Sequence, residues 1–151
     1  MVSIRSILVP VDFSENSRRA LEYASGLASR FGAAVDVLHV WSVPQFVPPD
    51  TLGVTGYPAS ELVALVQGNA ETELKKLADE AAGDGISIRR TRAEPGIPAQ
   101  VILDAIKHDG YDLVVMGTQG RSGLAHVLLG SVAERVVRHA DCPVLTVREK
   151  R

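Results

Sequence analysis

The chain has 151 residues, 46% of them hydrophobic, enough to bury one substantial core but not two, so a single domain spanning residues 1–151 is expected. Its 16 basic and 18 acidic residues leave a net charge of −2 with no basic cluster, which argues against nucleic acid as a partner. The apolar run from Ile7 to Val11 is short and ends in Asp12, no stretch reaches membrane-spanning length, and Cys142 is the only cysteine. A cytoplasmic protein without an internal disulfide or a membrane partner is expected, with Cys142 a small packed residue rather than a reactive thiol.

Ile4 and Ile7 to Val9 read as a buried first strand, closed by Pro10, Val11, Asp12 and Phe13. Ser14 suits a helix N-cap, Ala20, Ala24, Leu27, Ala28 and Phe31 share one helical face, and Gly32 stands where a helix ends. Ala34 to Trp41 is a second strand, and neither strand alternates in polarity, as expected of parallel strands covered on both faces. The prolines and glycines between Ser42 and Ser60 predict a long loop. Helical spacing returns from Leu62 to Ala81, with Glu71, Lys75, Lys76 and Asp79 on a solvated face. A third strand is expected over Ile86 to Ala93, a helix from Pro98 to Gly110, and a fourth strand over Tyr111 to Met116. Val132, Ala133, Val136 and Val137 face a last helix inward, and Pro143 opens a fifth strand, Val144 to Val147.

Between the fourth strand and the last helix lies Gly-Thr-Gln-Gly-Arg-Ser-Gly-Leu-Ala-His-Val-Leu-Leu-Gly-Ser, Gly117 to Ser131. Its spacing, two residues between Gly117 and Gly120 and nine before Gly130 and Ser131, arises by chance in about one such chain in a hundred. Glycine at the strand end would admit a ligand close to the backbone and dihedrals closed to side chains, and a Gly-Ser pair opening a helix leaves N–H groups for an anion. It is neither a Walker loop nor the tight dinucleotide fingerprint.

Five strands alternating with four helices imply an α/β, Rossmann-like fold with a doubly wound parallel sheet. In strand order 3-2-1-4-5, strands 1 and 4 lie side by side where the winding reverses, so Asp12 and Gly117 would face one crevice outside the carboxyl ends of the strands.

Val9 to Ser14, the pair His39-Val40 and the segment Gly117 to Glu134 resemble the universal stress protein family, in its ATP-binding branch, over nearly the whole chain. The resemblance implies adenine-nucleotide contacts from Pro10, Val11 and Asp12, with Asp12 at the ribose or a Mg²⁺-bound phosphate, and from the Val40 backbone to adenine. It further implies that Gly117, Gly120, Gly130 and Ser131 cradle ribose and phosphates, with Met116 and Val132 close by. Where members commonly carry His or Arg this chain has Gln119, and Arg121 is the candidate substitute. Members also pair the fifth strand, here Val144 to Val147, across a two-fold axis, so a homodimer is expected. Read without the resemblance, Asp12 could help hold Mg²⁺, with an N-terminal capping or turn carboxylate as the alternative.

His39, His108, His126 and His139 fall in four separate segments with no metal-ligand spacing. The expected function is an ATP-binding stress-response module that acts by nucleotide occupancy and partner contact. The alternatives are a slow Mg-dependent ATPase or phosphoryl-transfer enzyme, and a cyclic-nucleotide binder on the same fold.

Overall fold

The computed structural model describes residues 1–42, 59–119 and 129–148. Gly120, Arg121, His126, most of the long loop expected after Trp41, and the tail beyond Arg148 lie outside these residues. The elements run β1 (Ser6–Pro10), α1 (Glu15–Phe31), β2 (Ala34–Trp41), α2 (Ala59–Gly83), β3 (Arg90–Pro95), α3 (Pro98–Asp109), β4 (Leu113–Gly117), α4 (Ser131–His139) and β5 (Val144–Val147). All strands pair in parallel, in the order β3-β2-β1-β4-β5, so the winding reverses between β1 and β4 as expected.

Ile7, Leu8 and Val9 are wholly buried because each face of the sheet has its own helical layer. Ile7, Val9, Val35, Val37 and Val115 pack with Ala20, Leu21 and Ala24 of α1 and with Leu74, Leu77 and Ala81 of α2. Leu8, Leu38, Val114 and Met116 pack on the other face with Ile102, Ala105 and Ile106 of α3 and with Ala133 and Val136 of α4. Ser14 caps α1 by accepting from the Ser17 N–H at 3.3 Å, and Gly32 and Gly110 close α1 and α3 in the left-handed region. Among the described residues no helix is long and apolar enough to cross a membrane.

Two strands differ from the sequence reading. β3 spans Arg90–Pro95 rather than residues 86–93, since Ile86 and Ile88 tuck against the core before the chain joins β2. β4 begins at Leu113, two residues after the expected start, and runs through Gly117. Tyr111 is buried, yet it lies before the strand, where its hydroxyl meets a carboxylate. Asp112 ties the amino ends of β1 and β4 together, its Oδ2 accepting from the N–H groups of Arg5 at 2.8 Å and Ser6 at 3.0 Å.

The carboxylate that the Tyr111 hydroxyl meets is Asp36, in β2 and 1% exposed. It accepts from Arg89 at 2.8 and 2.7 Å, from Arg90 at 3.0 Å and from the Tyr111 hydroxyl at 2.7 Å. Asp109 adds a second carboxylate, 2.9 Å from Arg92 and 3.6 Å from Arg90. Burial pushes the Asp36 carboxyl up, but the hydrogen bonds from Arg89 and Tyr111 and the charges of Arg89 and Arg90 outweigh it and hold the group at about 2. Burial and the hydrogen bond to Asp36 in turn push the Tyr111 hydroxyl up.

Asp36 binds its proton more weakly folded than unfolded, so it adds stability that is complete above its ordinary value of 3.8 and is lost as pH falls through about 2. The contribution is about 2 kcal/mol. Asp36→Asn should therefore lower stability by that order at pH 7 and by much less at pH 2. Urea titrations of both proteins at the two pH values check this, and a stability gap equal at both would contradict the ion-pair account.

Candidate functional site

At the carboxyl ends of β1, β2 and β4 the chain leaves the sheet. After Pro10, Val11 makes one further ladder bond, its N–H donating to the Leu38 carbonyl at 2.8 Å. Asp12 then bends the chain, its Oδ1 accepting from the Ser14 N–H at 3.0 Å, so the turn role of this carboxylate is real. Phe13 takes φ +64°, the one non-glycine residue in the left-handed region among those described. A bulky side chain there is strained by about 1–3 kcal/mol. Its ring packs on His39, centroids 4.4 Å apart, and His39 Nδ1 donates to the Val11 carbonyl at 2.8 Å. A carbonyl only accepts, so Nδ1 carries the proton.

The Val40 backbone lies just past the end of this ladder. Leu38 turns its carbonyl toward β1 and Trp41 turns its own toward β3, where it accepts from the Gly96 N–H at 3.0 Å. Strand alternation therefore points the Val40 N–H and C=O to the β1 side, from which β1 has already withdrawn.

On the β4 side, Gly117 is required by packing. A Cβ added there would stand 2.9 Å from Asn16 Cβ and 3.1 Å from the Asn16 carbonyl carbon, so only glycine lets the first turn of α1 approach β4. Its dihedrals are not the reason, because its φ is not positive. Asn16 also donates through Nδ2 to the Gln119 carbonyl at 3.2 Å, which ties α1 to the chain leaving β4. The Asn16 Oδ1 is buried without a hydrogen-bond partner.

Gly130 is the N-cap of α4 at φ −66° and ψ 160°, dihedrals open to any residue, so conformational need does not explain this glycine either. What it lacks is a capping side chain: among the described residues no side-chain hydrogen bond closes the helix start, and Ser131 is exposed in the first turn. The Gly130 N–H donates to the Thr118 carbonyl, which fastens the helix entry to the end of β4.

Of the residues singled out in the sequence, Pro10, Val11, Asp12, Val40, Gly117, Gly130 and Ser131 thus lie at or just past the strand ends at the winding reversal. The side chain of Met116 is buried in the core between the sheet and helices α3 and α4, and that of Val132, partly buried, packs against it. Gly120 and Arg121 fall outside the described residues. His39 and Asn16 were not among the candidate contact residues, although His39 stood in the pair His39-Val40 that carries part of the resemblance. Among the described residues no three of His, Cys, Asp and Glu gather as a metal site, so a cation here would depend on Asp12 and on groups its ligand brings. Cys142 is partly buried, and burial pushes its thiol up, which suits a packing role.

Comparison with known proteins gives this arrangement a family. The chain is 37% identical over 146 residues to universal stress protein MJ0531 of Methanocaldococcus jannaschii, covering 96% of this chain and 82% of that protein. Among solved structures it is similar to the universal stress protein UspA from Lactobacillus plantarum, with a TM-score of 0.81, 30% identity and coverage of 98% of this chain and 100% of that one. It also shares the fold of a universal stress protein in complex with cAMP, with a TM-score of 0.68, 23% identity and coverage of 98% and 99%. The model of the universal stress protein family matches residues 3–148, and the chain belongs to that family.

Proposed function

We propose that this protein is a cytoplasmic adenine-nucleotide-binding module, taking ATP with Mg²⁺ and acting by nucleotide occupancy and partner contact rather than by rapid turnover. The observation that supports it best is the convergence of an open backbone edge at Val40, the Asp12 turn and the uncapped start of α4 at one winding reversal. Each suits one part of the ligand. Val40 offers a backbone donor and acceptor to the base edge. Asp12 suits ribose or a phosphate-bound cation, and the N–H groups following Gly130 suit phosphate oxygens. Gly120 and Arg121 belong to the same phosphate cradle in this reading.

Little here would drive hydrolysis. Asp12 is one carboxylate, its Oδ1 is engaged by Ser14, and fast phosphoryl transfer needs a placed metal, an oriented water and positive charge at the transferring group. The cAMP complex of a protein with the same fold keeps a cyclic nucleotide as the second ligand to test.

Gly130→Val should abolish ATP binding measured by calorimetry. The backbone at this position accepts valine, so the variant should fold, and the branched side chain would stand where phosphate must approach. Unchanged affinity in the folded variant would sink the assignment. Ser131→Ala should weaken binding by only about 1 kcal/mol, one neutral hydrogen bond.

Turnover of Mg-ATP should stay below about 1 s⁻¹, and Asp12→Asn should weaken binding more with Mg²⁺ present than without it. Steady-state release of phosphate above that rate would favour an enzyme.

A homodimer through β5 belongs to the same proposal. β5 is a sheet edge with Leu145 38% exposed, and such an edge offers unpaired backbone groups to a second copy. The Pro143 and Val147 carbonyls accept from Val114 and Thr118 in the β4 direction, so the N–H groups of Val144 and Thr146 point outward. Thr146→Pro should thus give a folded monomer, whereas Leu145→Pro should damage the sheet itself. Light scattering over a range of concentrations decides it, and a wild-type chain that stays monomeric throughout rules the dimer out.

A further inference from the structure

Resting on the nucleotide reading above, we propose that His39 is a positioning residue: its side chain takes the place of the next ladder bond between β1 and β2 and so frees the Val40 N–H to read the edge of the base. In a parallel ladder, a residue whose N–H bonds one partner residue offers its carbonyl to the N–H two residues further along that partner. Val11 donates to the Leu38 carbonyl, so in an uninterrupted ladder its own carbonyl would accept from the Val40 N–H. Instead it accepts from His39 Nδ1 at 2.8 Å, a bond made by the side chain of the residue just before Val40. The Val11 carbonyl is satisfied without drawing the two backbones together. Val40 keeps its place in β2 through the register with Glu94 of β3, while its β1-facing N–H and C=O are left for a ligand.

Phe13 holds the imidazole in this pose. Its ring lies 4.4 Å from the His39 ring and tilted 42° to it, on a backbone held at φ +64°. Strain of this kind at a strand end, with no glycine to relieve it, is what a constrained binding turn requires. The same turn presents Asp12, so one side chain sets the spacing between the base-reading edge and the carboxylate.

Two variants separate the donor from the ring. His39→Asn puts an amide N–H close to where Nδ1 stands, and His39→Phe keeps an aromatic ring but no donor. In nucleotide-free wild-type protein, hydrogen exchange followed by NMR should show the Val40 amide exchanging at least about tenfold faster than that of Val37, deep in the ladder. It should become protected on saturation with Mg-ATP. His39→Phe should protect Val40 without nucleotide, as the ladder closes onto Val11, and should weaken ATP binding by about tenfold or more. His39→Asn should keep affinity within about threefold of wild type. A merely structural histidine would instead lower stability and affinity together in both variants.

Val40 protected like Val37 in free wild-type protein overturns the proposal even if His39→Phe fails to fold. Unchanged ATP affinity in folded His39→Phe overturns it as well. If the wild type binds no adenine nucleotide, the nucleotide reading fails and base recognition with it, while the exchange data still report whether His39 interrupts the ladder.

Discussion

Parallel pairing of β1 with β4 is the constraint on which the arrangement of this molecule depends. Once those two strands are neighbours, α1 and α2 must cover one face while α3 and α4 cover the other. The chains leaving β1 and β4 then diverge to opposite sides and open a crevice between them. Such proximity demands a small residue on one wall. Gly117 is that residue, and its neighbour Asn16 fills the volume a side chain would have taken. The crevice walls are therefore in contact at their base, with the Asn16 bond to the Gln119 carbonyl as a cross-tie.

Much of the fold was legible in the sequence because its signals are local. Ser14, Gly32, Pro98 and Gly110 mark helix ends where caps and turns require them, and the apolar runs of β1, β2 and β4 have no solvent face to obscure them. β3 was misplaced for the converse reason. It is an edge strand rich in arginine, while the isoleucines that looked like its start only pack against the core from outside. The positions of the candidate site were legible through glycine spacing, but not the reasons for them. Gly117 answers to Asn16 in the first turn of α1, far off in the chain, and Gly130 to the absence of a cap.

What escaped the sequence depends on strand register. Nothing local marks Asp36 as the partner of Arg89 and Arg90, or His39 as the partner of Val11, because each pairing exists only after two strands align. Side chains of this kind are chosen by geometry far from their own neighbours in sequence. A lone carboxylate within an apolar strand is a usable sign, however: an aspartate between Val35 and Val37 has to find compensating charge somewhere.

The consequence of Asp36 reaches into how the chain finds its fold. β3 carries too little apolar alternation to choose its own alignment against β2, and an edge strand can otherwise slide. With Asp36 opposite Arg90 and gripped by Arg89, a slip of one residue sends alternate side chains to the wrong face and strands a buried negative charge. Arg89 and Arg90 are themselves half exposed, so the loss is smaller than the about 3–5 kcal/mol of a fully buried pair, yet it still disfavours the misaligned state. The carboxylate thus works as a proofreader of assembly, adding to the correct register a stability that a misaligned one lacks.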